Sequence, residues 1–315
     1  MRKASFVVTA VVAVAVLVTA CTPVQQPSPS PYRDVVLFGD SNGWGIGCVL
    51  GDEGDASVYA PGAQADCPAQ PDFSARNQSA GACNLSGATI LLYNGGAAGN
   101  PCQNWPSEWP QILSTHTPRL VVLSTGGWEI VDRWDPFPAG PNCRTGYSGG
   151  EAYTCPAPNI RWGTGETTGP PRYADRLTQA INLFRSYGAK VLVVNAPYYA
   201  PPEPQVPGIL DVWYEAYGPT QPADWQPPNV NVTFRPSKEK IDQLNDTIDT
   251  VVAGFNSPDD VQVFDLWSLL SPGGEFNEYV GGIRVRESDL THITINGFFQ
   301  VIAPNLLPEV RAMLA

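Results

Sequence analysis

The chain has 315 residues, 43% of them apolar, and its 30 acidic residues against 18 basic ones give a formal charge of −12. That balance argues against nucleic acid as a partner, and an acidic face is also repelled by anionic lipid headgroups. The length suits one large α/β domain with long loops, or two small domains.

In chain order, residues 1–20 read MRKASFVVTAVVAVAVLVTA, in which Arg2 and Lys3 precede an unbroken run of apolar and small residues. This is the pattern of an export signal. The run ends Val18-Thr19-Ala20-Cys21, which resembles the lipobox of bacterial lipoproteins, where the cysteine is lipidated and becomes the new N-terminus. An ordinary cleaved signal and an uncleaved anchor are the alternatives. Residues 21–32 then form a Pro/Ser-rich tether, too polar to pack and too rich in proline for a helix, and 33–315 form the folded domain. On this reading the protein sits at the outer face of the cell membrane, attached through Cys21. Cys48, Cys67, Cys83, Cys102, Cys143 and Cys155 remain, an even number in an exported chain, so three disulfides are expected. Only Cys143 with Cys155 is favoured by position, both lying in one Gly- and Pro-rich segment. No CxxC occurs and neither histidine neighbours these cysteines, so no metal site is expected.

Five short apolar runs recur, at 34–41, 88–96, 120–127, 190–197 and 261–267, with helical patterns or long loops between them. Such runs predict a five-stranded parallel sheet buried on both faces. Helices are predicted over 104–116, 171–188 and 237–255 and from 294 onward; in the third, Ile241, Leu244, Ile248, Val251 and Val252 repeat at helical spacing and Ser237 is the expected N-cap. Three long connections, one of about 45 residues between the first two predicted strands and two at 130–170 and 197–236, leave carboxyl ends of predicted strands. They are expected to crowd over that rim, as functional loops or as disulfide-tied insertions.

The first strand ends VVLFGDSNGWG, which places Ser41 on the rim where open α/β sheets bind ligands. A serine nucleophile needs a base, a group that orients the base, and donors for the oxyanion. The chain has two histidines. His116 closes a helix beside a proline, a position explained by the helix dipole. His292 lies in ESDLTHITINGF with Asp289 three residues before it, close enough for the carboxylate to fix the imidazole tautomer. Taken alone, that pair reads as a surface ion pair at a helix start.

Gly39-Asp40-Ser41 and Asp289-Leu290-Thr291-His292, at opposite ends of the domain, resemble the two outer blocks of the SGNH or GDSL-type hydrolase family. The resemblance implies a flavodoxin-like three-layer α/β/α sandwich, with Ser41, His292 and Asp289 as catalytic residues and no cofactor. Asn94-Gly95-Gly96-Ala97-Ala98-Gly99 is similar to the family's second block, which would make Gly99 an oxyanion donor beside the Ser41 N–H. The third block departs from the pattern: Gly126-Gly127-Trp128-Glu129 stands where most members have Gly-x-Asn-Asp. This Trp-for-Asn form looks like the SGNH domains fused to membrane acyltransferases. Either the Trp128 indole N–H replaces the asparagine as donor, or Trp128 is a pocket wall. Gly39-Asp40-Ser41-Asn42-Gly43 also fits a Gly-x-Ser-x-Gly elbow, but that fold places several strands before its serine.

The expected function is a serine esterase, with acyl transfer also compatible, on O-acyl groups, O-acetyl among them, of cell-envelope glycans or on small esters. The expected partners are the glycan, the membrane through the lipid, and an acyl-donating membrane protein if the reaction is transfer. A glycan-binding lipoprotein with little catalysis, and a lipase or thioesterase for longer acyl chains, are the competing readings.

Overall fold

The computed structural model describes residues 33–52, 67–81, 83–85, 89–91, 97–98, 100–129, 133–135, 144–145, 153–155, 173–200 and 238–315. The expected signal, Cys21 and the tether lie outside them, as do most of the three long connections and Ser237.

Five strands form the central sheet: β1 (Val35–Gly39), β2 (Ala75–Asn77), β3 (Leu120–Ser124), β4 (Lys190–Val194) and β5 (Val261–Phe264). Their order is β5-β4-β3-β1-β2 and every pairing is parallel. Gly39 lies opposite Ser124, Leu37 opposite Asn77 and Phe264 opposite Val194, so all five carboxyl ends share one rim. The chain crosses to the other side of β1 between β2 and β3, and the crevice at such a switch point is where a doubly wound sheet binds its ligand.

Seven α-helices are described: α1 (Ser41–Leu50), α2 (Trp105–His116), α3 (Gly126–Glu129), α4 (Tyr173–Ser186), α5 (Lys238–Gly254), α6 (Leu266–Leu270) and α7 (Ala303–Leu314). Alternate residues of the strands sort them into two layers. Val36, Phe38, Val121, Leu123, Val191 and Val193 pack against α2, α4 and α5, where Phe38 stacks on Trp109 and Phe184 at centroid distances of 4.3 and 5.5 Å. Val35, Leu37, Val122, Leu192 and Phe264 pack against α1, α6 and α7. The expected α/β/α sandwich with a five-stranded parallel sheet is therefore present. Burial on both faces is why β1, β3 and β4 read as nearly unbroken apolar runs, whereas β5, partly buried at its centre, carries Gln262.

One expectation is corrected. The run at 88–96 supplies no strand of the central sheet. Thr89–Leu91 instead pairs antiparallel with Ala97–Ala98 and with Arg133–Asp135, in a second sheet of short strands. The fifth strand of the central sheet is Ala75–Asn77, an edge strand of three residues. SNGWGIGCVL, which the sequence reading assigned to no element, is a helix. Asp40 caps it, accepting from the Asn42 and Gly43 N–H groups at 2.9 and 3.4 Å. Its glycines permit close packing: a Cβ at Gly45 would come within 2.0 Å of the Phe298 ring, and one at Gly47 within 2.1 Å of the Asn77 amide.

Disulfides join Cys48 to Cys67 and Cys83 to Cys102, each closing a separation of 19 residues. Cross-links of that span typically contribute about 3 kcal/mol. The favoured Cys143–Cys155 pair lies outside the described residues, except for the backbone of Cys155 in a short strand.

Candidate active site

Ser41 is the first residue of α1, directly after the Asp40 cap, so its side chain stands at the switch point between β1 and β3. The Asp40 N–H donates to the Ser124 carbonyl at 2.8 Å, which fixes the corner to the neighbouring strand end. Asp40 takes up the N–H groups of Asn42 and Gly43; the Ser41 N–H has no acceptor among the described residues and is the first-turn donor able to face an incoming anion.

His292 reaches this corner from the far end of the chain. The Ser41 hydroxyl donates to His292 Nε2 at 2.9 Å, and His292 Nδ1 donates to Asp289 Oδ2 at 2.5 Å. The other carboxylate oxygen, Asp289 Oδ1, accepts the backbone N–H groups of Thr291 and His292, both at 3.0 Å. The carboxylate thus holds the loop and the imidazole together. Asn42 Oδ1 accepts the Ile293 N–H at 3.1 Å and ties α1 to the residue after the histidine. The loop closes on itself through an antiparallel bridge between Arg286 and Ile293 and through the Glu287 N–H, which donates to the His292 carbonyl at 2.9 Å. Leu290 turns it with a left-handed backbone, φ 55°.

Burial alone would raise the Asp289 carboxyl, but the hydrogen bonds from the His292 ring and from the two backbone N–H groups outweigh it and hold the group well below the carboxylate range. Burial likewise disfavours the His292 imidazolium. The hydrogen bond and charge of Asp289, joined by the charges of Asp40 and Glu287, outweigh burial and raise His292 above its ordinary value. If His292 must be neutral to accept a proton, activity is lost as pH falls through this raised value. On an aryl acetate, kcat/KM is expected to climb to a plateau with a midpoint above about 6.5. A midpoint below 6 would contradict the assignment.

The remaining sequence-predicted residues are not all brought to this corner. His116 ends α2, four residues before β3 begins, and its carbonyl accepts the Arg33 N–H, so it lies at the amino ends of the strands, opposite Ser41. Gly99 and the Trp128 side chain lie outside the described residues. The backbone of Trp128 is part of α3, on the rim after β3. The last residue of that short helix, Glu129, is fully buried and accepts the Leu85 N–H. Next to Gly99, the buried Asn100 exchanges hydrogen bonds with Asn84, and the Cys83–Cys102 disulfide closes the same segment.

The sequence reading missed the turn after β2, Gln78-Ser79-Ala80-Gly81. The Ala80 N–H donates to the Gly39 carbonyl at 2.8 Å, so this turn runs across the end of β1 beside Ser41. A Cβ at Gly43 would come within 2.5 Å of Ser79 Oγ, which shows how closely turn and helix meet. The Gly81 N–H has no acceptor among the described residues. Asn77, buried at the strand end, accepts the Ser79 N–H at 2.9 Å and shapes the turn. A polar three-residue edge strand carries no apolar run to reveal it.

Further along the rim, past β4 and β5, a cavity of about 500 Å³ is lined by Tyr198, Asp242, Asp246, Asp249, Asp265 and Trp267, among others. Tyr198 and Trp267 meet edge to face at 5.8 Å. Trp267 thus lines the rim, whereas Trp105 and Trp109 are buried in the core.

No family model matches the chain, and no curated protein matches it. Among solved structures it is similar to TesA, at 15% identity and a TM-score of 0.41 over 89% of this chain and 98% of that one. It is also similar to a GDSL-like lipase from Bacteroides thetaiotaomicron, at 11% identity and a TM-score of 0.42 over 91% of each chain. A third is Axe2, an acetylxylan esterase from Geobacillus stearothermophilus, at 11% identity and a TM-score of 0.42 over 88% of this chain and 94% of that one. All three likenesses are low, and none of them fixes the activity of this chain.

Proposed function

We propose that the protein is an SGNH-type serine esterase that removes, or transfers, short acyl groups on cell-envelope glycans. The observation that carries this reading is the chain of contacts from Ser41 Oγ to His292 Nε2 and from His292 Nδ1 to Asp289, at the switch point of a parallel sheet. As Ser41 Oγ attacks the ester carbonyl carbon, its proton passes to His292 Nε2. Collapse of the tetrahedral intermediate breaks the bond to the alkoxy oxygen, which leaves as the alcohol with that proton. Water, or an acceptor hydroxyl, then gives its proton to His292 and attacks the acyl-serine, releasing the carboxylic acid or the transferred ester and restoring the Ser41 hydroxyl. Asp289 keeps the Nδ1 proton in place and stabilises the imidazolium throughout.

The oxyanion is held by the Ser41 N–H and, in this reading, by the Gly81 N–H from the turn that crosses β1. That assignment replaces Gly99, whose segment does not follow a strand of the central sheet. Trp128 is then a wall of the acyl pocket or a third donor. No cofactor enters these steps.

The choice of an acylated glycan draws on the cavity beyond β4 and β5, because a tryptophan, a tyrosine and several carboxylates suit the faces and hydroxyls of a sugar. It also draws on the lipobox-like Cys21 and the tether, which would hold the enzyme at the outer face of the membrane, where an acyl-donating membrane protein could supply it. A series of aryl esters of increasing acyl length, run with and without an oligosaccharide acceptor, tests the assignment. Acetyl is expected to be turned over best, at least tenfold above octanoyl. A preference for long chains would make the protein a lipase or thioesterase.

A further inference from the structure

We propose that Arg286 is a positioning residue for the Asp289–His292 pair, clamping the loop that carries them and setting the charge behind it; this rests on the esterase reading. Arg286 is fully buried and is the largest fully buried side chain among the described residues. No carboxylate among those residues forms an ion pair with it. Its Nη2 donates to the Tyr198 carbonyl at 2.8 Å, and its Nη1 lies 3.5 Å from the carbonyl of Thr291, the residue before the histidine. The guanidinium lies over two aromatic rings, with Tyr199 and Phe276 centred 5.5 and 5.7 Å away. Two segments are joined by this one side chain: the end of β4 through Tyr198, and the His292 loop through Thr291. The Ala200 N–H donates to the Leu290 carbonyl at 3.2 Å and adds a second tie between them.

A buried charge without a salt-bridge partner is a poor device for stability alone, since an apolar side chain of the same size generally fills such a space at least as well. Its position suggests what the charge does. Burial pulls the guanidinium down to about 10, which still leaves it charged at neutral pH, and Asp289 is the carboxylate whose field it feels. The groups facing His292 are Asp289 and Glu287 from its own loop, Asp40 from the β1–α1 corner and the Ser41 hydroxyl. All three carboxylates favour the imidazolium. Arg286, behind the loop, over the Tyr199 ring and beside the Thr291 carbonyl, acts on Asp289 and is, on this proposal, the cation that opposes them. Without it, His292 should hold its proton to higher pH and less of the enzyme should carry a neutral base.

The test measures the His292 titration by NMR together with kinetics on an aryl acetate, using wild type, Arg286→Met and Arg286→Lys. Only two histidines need to be resolved, and His116→Gln assigns them. Arg286→Met is expected to raise the His292 midpoint by about half a unit or more, to move the acid limb of kcat/KM with it, and to lower kcat about tenfold with KM within about twofold. Arg286→Lys keeps a cation at the same place and is expected to keep the wild-type midpoint and most of kcat. A folded Arg286→Met protein with wild-type midpoint and kcat overturns the proposal. If Arg286→Met does not fold, Arg286→Gln, which keeps N–H donors for the Tyr198 and Thr291 carbonyls without the charge, decides: a midpoint raised by about half a unit supports the proposal, and a wild-type midpoint overturns it. Should wild type turn over no ester, the esterase reading fails by itself, while the NMR titration still reports whether Arg286 acts on His292.

Discussion

Ser41→Ala is expected to lower kcat on an aryl acetate by at least about 10⁴-fold while leaving KM and the thermal midpoint close to wild type. The stability half of this expectation follows from the architecture. α1 is capped by the Asp40 side chain and held to the sheet by Ile46, Val49 and Leu50, so the Ser41 hydroxyl supports no core contact and no cap. Its described hydrogen bond is the one to His292 Nε2. Loss of the oxygen removes the nucleophile and leaves the fold. The measurement is steady-state kinetics paired with thermal unfolding, and a variant that retains more than about one per cent of wild-type kcat would show that another group attacks the ester.

The second large effect is expected at Asp289→Asn. An asparagine there keeps an oxygen for the Thr291 and His292 N–H groups, so the loop has reason to hold its shape. What changes is the group facing His292 Nδ1. In place of an acceptor it presents N–H, which favours the imidazole tautomer with its proton on Nε2, and an Nε2–H cannot receive the Ser41 proton. A loss of kcat on the order of 10³- to 10⁴-fold is expected, with the thermal midpoint little changed. The acid limb should also move to lower pH, because the carboxylate that raises His292 most is gone. Unfolding in step with the loss of activity would instead assign Asp289 to the loop alone.

The parts of this site that were legible in the sequence share a physical reason. A chain with two histidines leaves few bases to choose from, and Asp289 three residues before His292 limits where the orienting group can be. The central strands announce themselves because burial on both faces demands unbroken apolar runs, as in LVVLS and KVLVV. β2 has no such demand. As an edge strand of three residues, Ala-Arg-Asn, it reads as a loop, and the apolar run at 88–96 took its place although those residues pair in a different, antiparallel sheet. On the proposed assignment of Gly81, the oxyanion donor was missed along with that strand, because Gly81 lies in the turn that follows it. α1 was hidden for another reason: Gly43, Gly45 and Gly47 lower helix propensity, and their use is visible only once Ser79, Phe298 and Asn77 are seen against them. Arg286 had no signal at all, because an arginine near a strand end ordinarily faces solvent.

Covalent labelling tests the central claim most directly. The protein is treated with an organophosphonate, intact mass is recorded, and the adduct is mapped by peptide sequencing. Wild type is expected to gain one adduct, on Ser41, at a rate that falls with protonation of His292, and His292→Ala is expected to gain none. No adduct on wild type, or an adduct on any residue other than Ser41, would contradict the account.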